Sequence, residues 1–274
     1  AKLNRTFKMI VGESNGGQNE LYSCRFGMMM NEWRQLWHEG TNGATDPNFP
    51  IGFVQIGPYG QTSGPGSPKS EACFSIRIGQ TGGMQYGGTA PNKRWPNSFM
   101  STGFDLMNPP GAHCVAGCIH IFNKQAVAHR LAVAARHTVY NETSLVYQGP
   151  VVDGVTRGAN GAITVHYSGG TEGGGLKLRS TYGFEVCADG CGDGFSANLQ
   201  NGSGPGFALA AVSESTSNTV TITPPASLGG NPVVTVRYGF DDSPSLFFTP
   251  STEPAVYNAE GLPANPGVWN VTAV

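Results

Sequence analysis

The sequence predicts an α/β layer followed by an antiparallel β module, and three observations carry this prediction. Up to Tyr140, short apolar runs alternate with stretches of helical periodicity, as strands and helices do in an α/β layer. Beyond Tyr140, apolar and polar residues alternate between clusters of Gly, Pro and Asn. The length of 274 residues suits one large domain or two modest ones. We therefore expect an α/β unit over residues 1–144 and a β-sandwich-like module over residues 145–274.

The first elements predict a strand, a helix and a second strand. Residues 7–11 are mostly apolar and end at a glycine-rich loop. Residues 19–38 carry apolar side chains at helical spacing, and Gly40 is a suitable C-terminal cap. Residues 51–56 form an apolar run between two prolines, which is typical of a buried strand. A strand, helix and strand in this order predict a parallel crossover unit.

The next segment predicts a long loop, a strand and a second helix. Residues 57–96 are rich in Gly, Pro, Ser and Thr without sustained periodicity, so we expect a loop there. A strand is expected at residues 103–107. Residues 113–136 predict a loop that leads into a helix, with Asn123 as the N-cap. The helix has one apolar stripe, formed by Val127, Leu131, Ala134 and Ala135.

Four segments of the second half alternate between apolar and polar residues, as half-buried strands do. They are residues 162–167, 183–187, 219–223 and 233–238. No stretch in this half has helical spacing of useful length. We expect a small sandwich or a jelly-roll-like unit that packs on the first half.

Composition and charge exclude several classes of function. The formal net charge is −2, so no basic surface for nucleic acid is indicated. No apolar run approaches the roughly 18 residues of a membrane span. No glycine-rich loop precedes a helix in a phosphate-binding pattern, and the cysteine spacings fit zinc modules poorly. We therefore expect neither a metal nor another cofactor.

The cysteines and the glycosylation sequons predict an oxidising compartment. Two pairs have the same close spacing, Cys114 with Cys118 and Cys187 with Cys191, which leaves Cys24 and Cys73 as the natural third pair. Four sequons begin at Asn4, Asn141, Asn201 and Asn270. Together these features predict a glycoprotein that is secreted, lysosomal or exposed at the cell surface.

His120 is the candidate catalytic residue that the pattern itself indicates. It lies three residues before the N-cap of the second helix, so a packed helix holds its loop. Imidazole changes protonation state near neutral pH, which suits a general base. The alternative is a histidine whose hydrogen bonds are satisfied in a buried loop.

The segment Gly12-Glu13-Ser14-Asn15 and the His120 loop resemble the sialate O-acetylesterases, a family of SGNH-type serine esterases. The resemblance extends over nearly the whole chain, through blocks at residues 49–56, 96–100, 123–131, 149–157 and 257–263. It implies an SGNH-hydrolase-like parallel sheet layer whose N-terminal part is missing here. The C-terminal antiparallel β module follows that layer.

The resemblance also implies a function and a set of site residues. The expected reaction is removal of O-acetyl groups from sialic acid or related glycans by a histidine-activated serine. His120 matches the histidine, and Glu13 matches a family acid that orients the histidine or shapes the pocket. Gly12, through its backbone N–H, and Asn15, through its amide, match the oxyanion-stabilising positions. The expected partner is thus an O-acetylated glycan substrate.

The family's nucleophilic serine lies in a Gly-Gln-Ser-Asn-Met block upstream of the Gly12 segment, and Ser14 does not occupy that position. We therefore expect the serine to come from a missing segment or from a companion chain. Cys118, Ile121 and Phe122 stand where the family usually has Asp, Pro and Arg, and residues 9–11 replace a Trp-Tyr-Gln block.

Two further hypotheses remain, one based on these departures and one on the family blocks. The first is a catalytically inactive glycoprotein that binds glycans or serves in assembly, as a homo-oligomer or part of a larger complex. The second is an acetylxylan-type esterase, because plant-polysaccharide deacetylases share similar blocks.

Overall fold

The structure is a computed structural model of the chain. It describes residues 7–10, 12, 15, 19–58, 72–81, 95–108, 119–168, 174–181, 183–192, 206–240 and 254–274. In this part of the chain, an α/β layer precedes a set of mainly antiparallel strands.

A three-stranded parallel sheet forms the centre of the first half. Its strands are β1 (Phe7–Ile10), β2 (Ile51–Val54) and β3 (Ser98–Ser101), with β2 in the middle. Phe53 pairs with Met9 on one side and with Met100 on the other. The parallel crossover predicted from β1 to β2 is therefore confirmed. The identity of this sheet with the SGNH layer stays a prediction.

The strand predicted at residues 103–107 is wrong, because the third strand ends at Ser101. The backbone N–H of Leu106 donates to Gly103 O at 3.1 Å, which bends the chain. The Gln55 side chain accepts hydrogen bonds from the N–H groups of Gly103 and Phe104 at 3.2 and 3.4 Å. The Gln55 side chain provides the acceptor that a neighbouring strand would provide, so residues 103–107 form a loop.

Helices cover both faces of the sheet. They are α1 (Asn19–Gly40), α2 (Ala72–Gln80) and α3 (Lys124–Val139). α1 and α2 share one core with Ile51 and Phe53, whereas α3 packs with Val54 and Phe99 on the opposite face. Successive strand residues point to opposite faces, so one short strand supplies both cores. The predicted helices at residues 19–38 and after Asn123 are confirmed, and the Asn123 side chain caps α3 by accepting from the Ala126 N–H at 3.0 Å.

The helix α2 lies inside the segment that was predicted to be a loop, so that prediction is wrong over Ala72–Gln80. Every side chain described in it, from residue 73 to residue 80, is buried. Ile76 faces the core beneath α1, and Phe74 and Ile78 pack with Phe240 of the second half. α2 is only nine residues long and lies in a segment rich in Gly, Pro, Ser and Thr, so its few apolar residues gave no sustained periodicity.

Within the described residues, the second half contains ten strands. They are β4 (Val152–Arg157), β5 (Ile163–Tyr167), β6 (Leu176–Leu178), β7 (Phe184–Cys187), β8 (Phe207–Ser215), β9 (Thr219–Thr223), β10 (Thr235–Tyr238), β11 (Val256–Asn258), β12 (Gly267–Asn270) and β13 (Thr272–Ala273). The four predicted strands correspond to β5, β7, β9 and β10 and are confirmed. A single turn of 3₁₀ helix lies at Ala226–Leu228, and β6 pairs with β11 apart from the other strands.

The remaining eight strands follow the order β12-β10-β7-β8-β9-β5-β4-β13. Two long segments change partner along their length. The first part of β8 pairs with β7 and its second part with β9. β12 pairs with β10, and after Val271 the chain continues as β13 beside β4, so the last segment joins the two ends of the sheet. Strands that pass from one layer to another make the corners of packed sheets.

A buried charge network joins α3 to the second half. The Arg130 guanidinium donates to both carboxylate oxygens of Asp105, at 2.6 and 2.8 Å, and to Thr102 O at 2.7 Å. The Tyr257 hydroxyl donates to the same carboxylate at 3.2 Å. Burial lowers the pKa of Arg130, but the hydrogen bond and charge of Asp105 outweigh this effect, and the net shift is upward. Asp105 thus connects a helix of the α/β layer with a strand of the β module.

We predict that Arg130→Met destabilises the protein by about 3–5 kcal/mol, because it leaves the Asp105 carboxylate buried without its cation. The side chains of Arg130 and Asp105 are 10% and 4% exposed. Urea unfolding would measure the change in the free energy of unfolding.

The matched control is Arg136→Met on the same helix. Arg136 donates to Glu142 through two nitrogens, but these side chains are 52% and 40% exposed. Exposed ion pairs contribute little to stability, so the control should unfold at nearly the wild-type urea concentration. Equal losses in both variants would contradict the account of the buried network.

Candidate functional site

The carboxyl ends of the three parallel strands define the candidate site. In a parallel sheet these ends lie at one edge, and ligands of open α/β sheets bind in the crevice outside it. The segment with Gly12 and Asn15 follows β1 at this edge, and residues 55–58 follow β2. The His120 loop leads into α3, which packs on β2 and β3.

Gly12 occupies a position where only glycine fits without rearrangement. Its φ angle is +131°, and a Cβ added there would lie 2.7 Å from Ile76 Cγ2. Gly12 O accepts the Asn15 N–H at 2.9 Å, which closes a tight turn at the end of β1. Asn15 is half-buried. The described backbone therefore places Gly12 inside the turn and leaves Asn15 at its border with solvent. Glu13 and Ser14 lie outside the described residues.

His120 lies between two buried isoleucines but is itself exposed. Ile119 and Ile121 are buried, whereas the His120 side chain is exposed. The exposed side chain does not fit the alternative of a histidine buried with its loop. Its ring makes no hydrogen bond with any residue of the described ranges.

Asn108 fixes the backbone around His120. Its Nδ2 donates to His120 O at 2.9 Å, and its Oδ1 accepts the Phe122 N–H at 2.8 Å. Asn108 is 2% exposed. One side-chain amide thus satisfies a carbonyl and an N–H on either side of Ile121, as a neighbouring strand would do. The loop that carries His120 is held in one conformation by this clamp.

Two polar side chains of α2 fix the chain where it leaves β2. The Arg77 guanidinium donates to Ile56 O at 3.2 Å and to Gly57 O at 2.9 Å. Gln80 donates to Val54 O at 3.0 Å and accepts the Ile56 N–H at 2.9 Å. Arg77 and Gln80 are fully buried. These hydrogen bonds satisfy backbone groups at the end of β2 and just beyond it.

The two segments that match the family motif contact adjacent residues at the end of β2. A Cβ added to Gly12 would lie 3.6 Å from Ile56 Cδ1. A Cβ added to Gly57 would lie 2.7 Å from Ile121 Cγ1 and 3.1 Å from Ile119 O. The Gly12 turn and the His120 loop are therefore both built against residues 56–57, although more than 100 positions separate them in the sequence.

The cysteine predictions have mixed outcomes. Cys187 and Cys191 form a disulfide, with their Cα atoms 5.7 Å apart, as predicted. The predicted bond between Cys24 and Cys73 is wrong, because Cys24 is a free thiol on the exposed side of α1 and Cys73 faces the core from α2. The Cys24 thiol instead lies 3.8 Å from Met28 Sδ. Cys114 and Cys118 lie outside the described residues.

The sequon asparagines Asn141 and Asn270 are both exposed, and glycosylation there stays a prediction. Asn4 and Asn201 lie outside the described residues. Among the helices that the structure describes, none has the length and apolar character needed to span a bilayer. In the same part of the chain, His, Cys, Asp and Glu side chains do not cluster in threes as a metal site would require.

Sequence reasoning did not find Asn108, Arg77 or Gln80. The Asn-Pro-Pro sequence that starts at Asn108 marks a turn, but it does not reveal what the amide binds. Arg77 and Gln80 lie on α2, a helix that the sequence pattern did not predict. An arginine between two isoleucines in an apolar run was the available signal, since a charged side chain there must find partners when buried.

We predict that Asn108→Ala releases the His120 loop without unfolding the protein. The amide of Phe122 loses its acceptor, so its hydrogen exchange should become about tenfold faster, the effect expected for loss of one buried hydrogen bond. Amide exchange followed by NMR would measure this rate.

The control for the clamp is Asn123→Ala, which removes the cap of α3. It should accelerate exchange at the Ala126 amide and leave the Phe122 amide protected, because each amide has its own acceptor. An unchanged Phe122 amide in the folded Asn108→Ala variant would contradict the clamp.

The chain is similar to proteins named sialate O-acetylesterase along most of its length. A family model described as the sialate O-acetylesterase C-terminal domain matches residues 153–271. Mouse sialate O-acetylesterase is 32% identical over 277 aligned positions, which cover 98% of this chain and 45% of the mouse protein. The rat protein of that name is 38% identical over 154 positions, covering 54% of this chain and 26% of the rat protein. The chain thus spans less than half the length of these relatives.

A solved structure shares the fold. The crystal structure of a carbohydrate acetylesterase from Xanthomonas citri is similar over 95% of this chain and 49% of its own, with a TM-score of 0.65 and 22% sequence identity. At that identity the likeness concerns the fold. The sequence matches, which run through both the parallel sheet and the β module, lead to one conclusion: this chain belongs to the sialate O-acetylesterase family.

Proposed function

We propose that this chain forms part of a carbohydrate O-acetylesterase that removes acetyl groups from sialic acid or related glycans. Its family membership supports the reaction class. The observation that carries the proposal is the contact of the Gly12 turn and the His120 loop with adjacent residues, Ile56 and Gly57. Both segments therefore lie near the carboxyl edge of the parallel sheet, the edge at which ligands of open α/β sheets bind.

In the proposed reaction His120 is the general base. A serine hydroxyl attacks the acetyl carbonyl while the imidazole takes the hydroxyl proton. The tetrahedral intermediate collapses, the bond to the sugar oxygen breaks, and the imidazolium returns its proton to that oxygen. A water molecule then attacks the acyl-serine with the same imidazole as base, and acetate leaves. The exposed position of His120 suits a group that must meet both serine and substrate.

Gly12 and Asn15 supply the oxyanion donors in this proposal. The backbone N–H of Gly12 and the side-chain amide of Asn15 would bind the negative oxygen that forms during each attack. Fixed donors of this kind stabilise the transition state because they need no reorganisation when the charge appears. The turn hydrogen bond between Gly12 O and the Asn15 N–H supports a fixed arrangement. Glu13 would orient the imidazole or shape the pocket.

The nucleophilic serine comes, in this proposal, from outside these 274 residues. Ser14 does not stand at the family's nucleophile position, and the chain spans 45% of its mouse relative. A further segment of the same protein or a companion chain would provide the hydroxyl. The Cys187–Cys191 disulfide and the exposed Asn141 and Asn270 support a glycoprotein that is secreted, lysosomal or exposed at the cell surface.

A second candidate function is a non-catalytic glycoprotein that binds glycans or serves in assembly. One observation favours it: Ile121 and Phe122 follow His120 where the family usually has Pro and Arg. The replacement of that arginine removes a positive charge beside the proposed base. A glycan array would test this candidate, which requires retention of sialylated glycans in a protein that hydrolyses no ester.

We predict that His120→Ala lowers kcat for an acetylated sialoside by at least about 10³-fold, because the serine loses its base. Asn15→Ala should lower kcat by about 10²- to 10³-fold through the loss of one oxyanion donor. Acetate release from the chain co-expressed with the serine-bearing segment would measure both effects.

His129→Ala is the matched control, since His129 is an exposed histidine on α3, the helix that follows the His120 loop. It should retain the wild-type rate. Absence of hydrolysis with the serine-bearing segment present, or equal rates for the variants at positions 120 and 129, would contradict the proposed function. A faster reaction on acetylated xylan than on the sialoside would assign the enzyme to plant polysaccharides instead.

A further inference from the structure

Phe122 is an unusual feature of the His120 loop, because a large aromatic ring there faces solvent. Its side chain is 50% exposed, whereas the neighbouring Ile121 is 6% exposed. Burial of an aromatic ring in the core stabilises a protein, and this loop already buries two isoleucines. The ring at position 122 contributes little of that stabilisation. Its exposed face is therefore available for contact outside the core.

The backbone on both sides of this ring is fixed. The Phe122 N–H donates to Asn108 Oδ1 at 2.8 Å, and Phe122 O accepts the Lys124 N–H at 2.7 Å at the start of α3. The first of these acceptors belongs to a buried side chain. A ring on a fixed backbone loses little conformational entropy when a ligand packs against it. The Phe122 ring can therefore contact a ligand with little loss of conformational entropy.

The ring lies close to the proposed base. Two peptide units separate Phe122 from His120, so their Cα atoms are at most about 7.6 Å apart. Both side chains are exposed, and Ile121 between them packs against Gly57 and Gly103. A group that approaches His120 therefore approaches Phe122 as well.

We propose that Phe122 is the platform on which the sugar ring of the acetylated substrate packs while its acetyl group reaches His120. A pyranose ring has a face of C–H groups, which an aromatic face covers well, and its hydroxyl groups stay in water. This inference rests on the proposed function and adds a specificity-determining residue to it. The platform recognises the sugar and leaves the acetyl group to the catalytic residues.

A protein partner fits the same surface less well. A stable protein interface buries about 800 Å² on each side and needs a cluster of apolar side chains at its centre. In the described residues of this loop, 119–123, Phe122 is the one large apolar side chain that is exposed. A single ring matches the size of one sugar.

The test compares two esters that share the acetyl group. We expect Phe122→Ala to raise KM for an O-acetylated methyl sialoside about tenfold and to leave kcat/KM for ethyl acetate unchanged, because ethyl acetate has no ring to pack. Phe122→Trp should restore the sialoside KM, and Phe122→Leu should not, since leucine keeps the apolar bulk without a flat face. The control is Tyr140→Ala, which removes an exposed aromatic ring at the far end of α3.

The same variants separate this inference from the proposed function. A change of equal size for both esters, or no change for either, would overturn the platform while the esterase assignment stands. If the wild-type chain hydrolyses neither ester, saturation-transfer NMR with the methyl sialoside decides the question without catalysis. Binding that Phe122→Ala abolishes would support the platform, and binding that it leaves intact would overturn it.

Discussion

The hydrogen bonds from α2 to the end of β2 are the constraint on which the candidate site depends. Beyond Val54 the strand ends, and the buried backbone groups there need new hydrogen-bond partners. Arg77 and Gln80 provide them from a helix that is buried on every side. Residues 54–57 are fixed as a result. The Gly12 turn and the loop around Ile121 then pack against a backbone that these hydrogen bonds hold in place.

The β module packs against α2 and against the loop after β3, which both hold the candidate site. Phe240 packs on Phe74 of α2, with ring centroids 4.7 Å apart. Tyr257 binds Asp105 in the loop after β3, and Asn265 accepts the Thr102 hydroxyl hydrogen bond at 3.0 Å. Phe104 belongs to the hydrophobic core of the module, although it lies in the α/β half of the sequence. The two halves are therefore interdependent, and loss of the module would leave α2 and the Asp105 loop without their outer contacts.

The sequence could predict those elements whose signal is local. α1 and α3 have an amphipathic pattern, and the strands β5, β7, β9 and β10 alternate or run apolar between turn residues. α2 was missed because it spans only nine residues inside a segment rich in Gly, Pro, Ser and Thr, too short to show sustained periodicity. The shift of the third strand from residues 103–107 to Ser98–Ser101 depends on the Gln55 side chain, which binds the backbone from 48 positions away.

The residues of the candidate site also fall into those that the sequence predicts and those that it does not. His120, Gly12 and Asn15 stand out through the resemblance to a family and through the helix that follows His120. The residues that hold them do not, because Asn108, Arg77 and Gln80 act through contacts with distant backbone groups. The Cys24–Cys73 pair failed for a related reason. Spacing pairs the two cysteines by elimination, whereas the structure places one in solvent and the other in a core.

The central claim is that the His120 ring and the Asn15 amide converge on one acetyl-binding cleft at the carboxyl edge of the parallel sheet. A crystal of the chain soaked with acetate, the product of the proposed reaction, tests it most directly. We predict one acetate ion within about 3 Å of both the His120 imidazole and the Asn15 amide, with its methyl group pointing away from both. Side chains too far apart for one acetate to contact both would contradict the account.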